Sequence, residues 1–226
     1  MKFSDLAYTA IYINLARRED RRINTEYLLD LNGIKAQRHY GISASWVDDA
    51  RGFQNKERYA CSLAKRMAIR RGLIRGNGAV LMFEDDIVFH KNFIERIHLL
   101  KIPEDWDLFY LGCRHLEKPI TCSPGVVKCT QATDNHAILI HRKCARKVIK
   151  ALSGYGRGSP PSIMYSDLQL SLLHNDLNAY AAYPNLVWQG HSHSDTSGYE
   201  LSHYNDEGEQ IIPPSGFGSR GLVEIR

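Results

Sequence analysis

Ala79-Val80-Leu81-Met82-Phe83-Glu84-Asp85-Asp86 is an apolar run that ends in three carboxylates, and Gly78 stands before it. A short apolar run bounded by a turn residue and an acidic cluster predicts a buried strand. Three adjacent carboxylates at such a strand end repel one another and lose hydration, which is costly without a cation among them. A divalent metal meets that need, since Mg²⁺ and Mn²⁺ take carboxylate oxygens and leave positions for phosphate oxygens. The same residues also read as the opening of a loop, with Asp85 and Asp86 capping a helix near Phe89. Spacing alone leaves these two readings level.

Upstream, residues 7–15 are β-branched and aromatic and predict the first strand. They run into Arg17-Arg18-Glu19-Asp20-Arg21-Arg22 and a helix that stops near Gly33. Arginines at a strand-to-helix junction suit a diphosphate, because guanidinium forks match phosphate oxygens. The competing view is a solvated first turn in which Glu19 and Asp20 already neutralise them. Residues 37–40 predict a second strand, 41–54 an irregular loop, and 57–71 a helix with Tyr59, Leu63, Met67 and Ile69 or Arg70 near helical spacing.

Downstream, the sequence predicts a helix over 91–100, a strand over 107–112 and a turn-rich substrate loop over 113–134. It then predicts a strand over 136–140, a helix over 143–152, an irregular Gly/Pro-rich loop over 153–161, and a helix capped by Ser166 with Asp167 in its first turn. A last strand is expected over 180–188. Strands alternating with helices predict an α/β fold, a mostly parallel sheet flanked by helices in a single domain over residues 1–190. Residues 191–226 read as a C-terminal tail that either wraps over the domain and its active site or is mobile, not as a second domain. In such sheets ligands bind beyond the carboxyl ends of strands, which moves the acidic cluster toward function.

The chain has 226 residues, 43% apolar and 24% charged, and a net charge of +4. These are the proportions of an ordinary globular protein. The modest charge fits an enzyme of anionic substrates better than a nucleic-acid binder. No apolar run approaches the roughly 20 residues of a membrane span, and the N-terminus lacks a signal-peptide stretch. A cytoplasmic protein with at most peripheral membrane contact is the expectation. Five cysteines (Cys61, Cys113, Cys122, Cys129 and Cys144) form no CxxC pair. They read as free thiols in a reducing compartment, although Cys122 and Cys129 lie in a turn-rich stretch where they could pair.

The order of these pieces resembles glycosyltransferase family 25, which includes lipooligosaccharide and procollagen galactosyltransferases. The residues that carry the resemblance are Ile13-Asn14-Leu15 with Arg17, Arg18 and Arg21, Cys61 opening a helix, the strand ending Glu84-Asp85-Asp86, and Asp105-Trp106-Asp107-Leu108-Phe109-Tyr110-Leu111-Gly112. Weaker echoes are residues 136–140 before a helix containing Ala145, Asp167 after a proline-rich loop, and Tyr183-Pro184 with Gln189. One departure stands out: Ala64 and Lys65 occupy the places where the family carries a Ser-His pair.

The resemblance implies a GT-A (Rossmann-like) architecture, a nucleotide-sugar donor, in the first instance a UDP-sugar, a carbohydrate acceptor, and Mn²⁺ or Mg²⁺. It implies that Asp86 ligates the metal, that Glu84 and Asp85 face the nucleotide, and that Asn14, Arg17 and Arg21 help hold the nucleotide diphosphate. Many GT-A enzymes add a C-terminal histidine ligand, for which His191 and His193 are the candidates. β-Galactosyl members invert the anomeric centre and need a general base. Asp167 is the candidate, expected to be held ionised by the helix dipole; Asp134 and His136 are weaker ones. Trp46, Tyr110, Tyr155 and Trp188 are candidates for stacking on sugars. Two rival functions are a metal-dependent nucleotidyltransferase and a nucleic-acid-binding module built on Arg17 to Arg22.

Overall fold

β3 (Ala79–Phe83) has no polar side chain, and all five of its residues are buried. That pattern requires cover on both faces, and the computed structural model supplies it. Residues 1–74, 78–154 and 165–190, the backbone of 192–193 and 200–201, and residues 204, 205 and 207–209 are described. Leu81 and Phe83 face one core with Tyr12, Phe109, Leu139, Leu29, Phe93 and Ile97. Val80 and Met82 face the other, with Ile11, Tyr110, Ile138, Ile69, Val148 and Leu170. Each such buried side chain contributes about 1.5–3 kcal/mol relative to exposure.

The first core packs α1 (Glu19–Leu31) and α3 (Phe93–Leu99) on the sheet. The second packs α2 (Lys56–Ile74), α4 (Ala145–Ala151) and α5 (Ser166–Leu172). The result is the expected α/β architecture, a sheet between helical layers. Its order is β2-β1-β3-β8-β5-β9-β7-β6, with β1 at Tyr8–Asn14, β2 at Ala36–Tyr40, β5 at Leu108–His115, β6 at Ile120–Ser123, β7 at Val126–Lys128, β8 at Ala132–His141 and β9 at Ala179–Ala182. The pairings show β1, β2, β3, β5, β9 and β6 running one way and β8 and β7 running against them. Among the described residues, no helix is long and apolar enough to cross a membrane.

Some elements depart from the sequence expectation. The stretch expected as a substrate loop over 113–134 largely extends the sheet, as the end of β5, the β6–β7 hairpin and the start of β8. The last strand divides: β9 lies in the main sheet, while β10 (Val187–Gln189) pairs antiparallel with β4 (Ile87–Phe89). Of the large residues expected on the packed face of α2, Ile69 is buried, Tyr59 and Leu63 are half-buried and Met67 is exposed, and small residues (Ala60, Ala64, Ala68 and Gly72) form the buried stripe. Small residues let α2 lie close to the sheet: a Cβ at Gly72 would sit 2.6 Å from a methyl of Val80. That approach brings Lys65 against the end of β3. The expected irregular loop and Tyr155 fall largely outside the described residues, as do His191 and most of the tail.

Candidate active site

β1, β2 and β3 are mutually parallel, so Asn14, Tyr40 and Phe83 end at one edge of the sheet. A cavity of about 350 Å³ opens there, lined by Ile13, Leu15, Arg17, Arg21, residues 41–44, Glu57, Cys61, Ala64, Lys65, the acidic triplet and Gln189. Its size lies within the range of small-molecule sites, and its place is where open α/β sheets bind ligands.

On the α1 side a single guanidinium serves two carboxylates. Arg21 Nη1 donates to Asp85 Oδ1 at 2.9 Å and to Asp86 Oδ2 at 3.2 Å. Asp85 is further held by Asn14 Nδ2 at 2.6 Å, and its carbonyl accepts from Thr25 Oγ1. Arg38 in turn donates to Asn14 Oδ1 at 2.6 Å. Asn14 therefore stands behind Asp85, buried and off the cavity wall. Arg18 pairs with Asp20, and Arg22 pairs with Glu19 and Glu26. The solvated-turn view is thus right for these two arginines, while Arg17 and Arg21 face the cavity.

On the α2 side, Lys65 Nζ lies 2.5 Å from Glu84 Oε1 and donates to Asn135 Oδ1 at 2.6 Å and Ser166 Oγ at 3.1 Å. Burial opposes its charge, but Glu84 outweighs this and raises the ammonium above its ordinary range. Conversely, burial would raise Glu84, and Lys65 holds it below its ordinary value. Lys65, the residue that departs from the family pattern, is therefore an integral cation of the site, joining α2, β3, β8 and α5. Beside Asn135, Asp134 has a left-handed backbone, φ 62°, where β8 is irregularly paired with β5. Few residues adopt that region without compensating contacts. Tyr204 Oη donates to Asp134 Oδ2 at 3.1 Å.

Asp86 keeps one buried carboxylate oxygen without a hydrogen-bond partner. Its Oδ2 accepts from Arg21 and from Gln189 Nε2 at 2.9 Å, but Oδ1 is buried with no hydrogen-bond partner. Burial and the neighbouring Glu84 charge raise the carboxyl to about 6, against the pull of Arg21. Asp85 is also raised, by burial, with Arg21 and Asn14 opposing. Four carboxylates (Glu57, Glu84, Asp85 and Asp86) line the cavity against three cations (Arg17, Arg21 and Lys65), a balance of −1. An orphaned carboxylate oxygen on a net-negative wall fits a hard divalent cation held by one carboxylate and completed by phosphate oxygens and water. It does not fit a cage of three protein carboxylates. Among the described residues, the only group of three His, Cys, Asp or Glu side chains with ligand atoms within 4.8 Å of one another is Cys113, His115 and Cys129.

Gln189 and Gly190 come to Asp86 because β10 pairs with β4, placing Gln189 opposite Ile87; Gly190 N also donates to the Asp86 carbonyl at 2.7 Å. His193 lies in the two-residue strand β11 (Ser192–His193), paired with β12 (Glu200–Leu201). Asp167, on α5, does not line the cavity, but it interacts electrostatically with Lys65, Asp134 and Glu84. Burial and Asp134 raise its carboxyl above the ordinary value, with Lys65 pulling the other way. His136 is a core residue whose Nε2 meets the Val187 carbonyl at 3.0 Å and whose pKa burial lowers. Tyr110 and Trp188 are buried and cannot stack on a ligand, whereas Trp46 is 69% exposed beside the cavity-lining Ala44. Glu57, Asn135 and the contact of Gln189 with Asp86 carry no signal in the sequence, and Lys65 shows there only as a departure from the pattern of the resemblance.

No protein-family model and no curated protein matches this sequence. Among solved structures, the chain is similar to a glycosyltransferase involved in glycosylation of the major capsid of PBCV-1, with 9% identity, TM-score 0.47, and coverage of 80% of this chain and 91% of that one. It is also similar to a mutant of Drosophila β1,4-galactosyltransferase 7 in complex with manganese, UDP-Gal and xylobiose, with 9% identity, TM-score 0.44, and coverage of 93% and 82%. A third is the CTP:phosphocholine cytidylyltransferase of Streptococcus pneumoniae, with 12% identity, TM-score 0.36, and coverage of 80% and 72%. Likenesses this distant assign no activity to the chain.

Proposed function

We propose that this cavity binds a nucleoside diphosphate sugar, in the first instance a UDP-sugar, with Mn²⁺ or Mg²⁺, and that the protein transfers a hexose to a glycan or glycoconjugate hydroxyl as a GT-A enzyme akin to glycosyltransferase family 25. The observation that carries the proposal is the orphaned Asp86 Oδ1 on a net-negative wall at the carboxyl end of β3. A diphosphate adds further negative charge, so site and donor together need an added cation. Asp86 would hold the metal. His191 or His193 is the candidate for a further ligand, because Gln189 and Gly190 already meet Asp86 and His191 is next in the chain. Bound there, the metal supplies Lewis-acid stabilisation of the charge that develops on the departing nucleoside diphosphate.

The chain's own residues do the rest. Arg17 and Arg21 pair with diphosphate oxygens, Asp85 is fixed by Asn14 and Arg21, and Glu84, fixed by Lys65, faces the ribose or a water. For inversion, the acceptor oxygen attacks the anomeric carbon, the bond to the diphosphate breaks, and the acceptor proton passes to Asp167. A carboxyl raised by burial is a stronger base than an ordinary aspartate. Trp46 offers an exposed ring for the acceptor sugar.

Thermal unfolding with ligand panels tests the proposal. UDP with Mn²⁺ should raise the midpoint clearly more than UDP or Mn²⁺ alone, and nucleoside triphosphates should do less. Absence of any UDP effect with Mn²⁺ would sink the proposal, and larger stabilisation by triphosphates would favour a nucleotidyltransferase.

A further inference from the structure

Away from the cavity, β5 has two irregularities in its pairing with β8, at Tyr110/Gly112 and Gly112/Arg114. They change the strand's parity, so that Cys113 joins Tyr110 in the core covered by α2, α4 and α5, although the two are three positions apart. His115 follows two residues later, and Cys129 arrives from the end of β7. Cys113 Sγ lies 3.6 Å from His115 Nε2, and the two sulfurs and this nitrogen-bearing ring form the group whose ligand atoms lie within 4.8 Å of one another. All three residues are at most 2% exposed.

We propose that Cys113, His115 and Cys129 form a binding site for a thiophilic transition-metal ion of the Zn²⁺ class. Bonds of about 2.3 Å to sulfur and 2.0–2.1 Å to nitrogen at tetrahedral angles place neighbouring ligand atoms about 3.5–3.8 Å apart. The Cys113–His115 pair already stands at that separation. Two thiols and an imidazole select Zn²⁺ or Cu⁺ over the hard cations suited to the oxygen ligands at the end of β3. Binding of Zn²⁺ replaces two thiol protons by two zinc–sulfur bonds and releases both protons. A tetrahedral ion keeps one position for an exogenous ligand such as water. The ion would tie β5 to the segment that leads from β7 into β8. The proposal is independent of the function assigned to the acidic strand end.

Chelator-treated, fully reduced protein titrated with Co²⁺ tests it. The expected result is a thiolate-to-cobalt charge-transfer absorption that saturates at about one equivalent per chain and is displaced by Zn²⁺. It should survive Cys122→Ser and Asp86→Asn and disappear in Cys113→Ser and Cys129→Ser. No such absorption in the folded wild type, or its persistence in both cluster variants, overturns the proposal. A readout on wild type covers variants that fail to fold: Zn²⁺ should slow alkylation of Cys113 and Cys129, followed by peptide mass spectrometry, more than that of Cys144, which is buried outside the cluster. Equal slowing of all three, or none, also overturns it.

Discussion

The two flanks of the acidic strand end neutralise charge in different ways. On the α1 flank, Arg21 is divided between Asp85 and Asp86 and leaves Asp86 Oδ1 without a partner. On the α2 flank, Lys65 serves one carboxylate, Glu84, and is itself held by Asn135 and Ser166. A shared cation under-compensates, so the α1 flank has room for an exogenous one. A dedicated cation closes its flank, so the α2 side fixes geometry. The contrast separates a ligand-receiving edge from a positioning edge within one triplet, and each variant below acts on one flank.

The largest effect is expected at the far end of the α2 flank. If Asp167 accepts the acceptor proton, Asp167→Asn lowers transfer by about 10²–10⁴-fold while UDP affinity is unchanged. Glu57→Gln, which alters a carboxylate of the cavity wall, should change transfer less. The reverse ranking in steady-state kinetics would give the role to Glu57. Next in size is stability. Lys65→Met leaves Glu84 without its cation and should cost about 3–5 kcal/mol in urea unfolding. The double variant Lys65→Met/Glu84→Gln should recover most of that loss, and no recovery would mean that Lys65 acts chiefly through Asn135 and Ser166.

The α1 flank gives a pH signature. Asp86 titrates near 6 in the folded chain against an ordinary 3.8. Between those values the folded state binds more protons than the unfolded state, so this group's stabilisation is fully present below 3.8 and is lost as the pH rises through 6. The loss amounts to about 3 kcal/mol at most. Metal-free protein should therefore be less stable at pH 7.5 than at pH 5.5 by an amount that Asp86→Asn removes; identical pH profiles for the two proteins would contradict the assignment. Smallest is Arg21→Gln, which removes charge-assisted hydrogen bonds worth about 1.5–3 kcal/mol. UDP affinity should fall about 10–100-fold in calorimetric titration, with Lys65 and Glu84 undisturbed.

Much of this arrangement was legible in the sequence, and the gaps have physical causes. The run from Ala79 to Phe83 announces a strand buried on both faces, and its acidic end marks the site. Tyr8–Asn14, Glu19–Leu31 and the 3.6-residue period near Lys56–Ile74 announce the first two crossovers. Lys65 was visible only as a departure from a family pattern, because a lysine on a helix is ordinarily solvent-facing. Its burial depends on Ala60, Ala64, Ala68 and Gly72 letting α2 close on the sheet, which a count of large apolar residues overlooks. The arginine turn looked uniform, but local acids take Arg18 and Arg22 and leave Arg21 for Asp85 and Asp86, a division set by tertiary placement. Short strands such as β4 and β10 carry too few residues to show a period, so the contact of Gln189 with Asp86 emerges only from their pairing.

The central claim is that Asp86 is the protein's point of contact with a divalent metal that accompanies a nucleoside diphosphate. Calorimetric titration of UDP into wild type and Asp86→Asn, each with and without Mn²⁺, tests it most directly. The predicted result is a Mn²⁺-dependent gain in UDP affinity in wild type that vanishes in a folded Asp86→Asn protein. UDP binding that is equally tight with and without Mn²⁺, or a Mn²⁺-dependent gain that survives the substitution, would contradict the account.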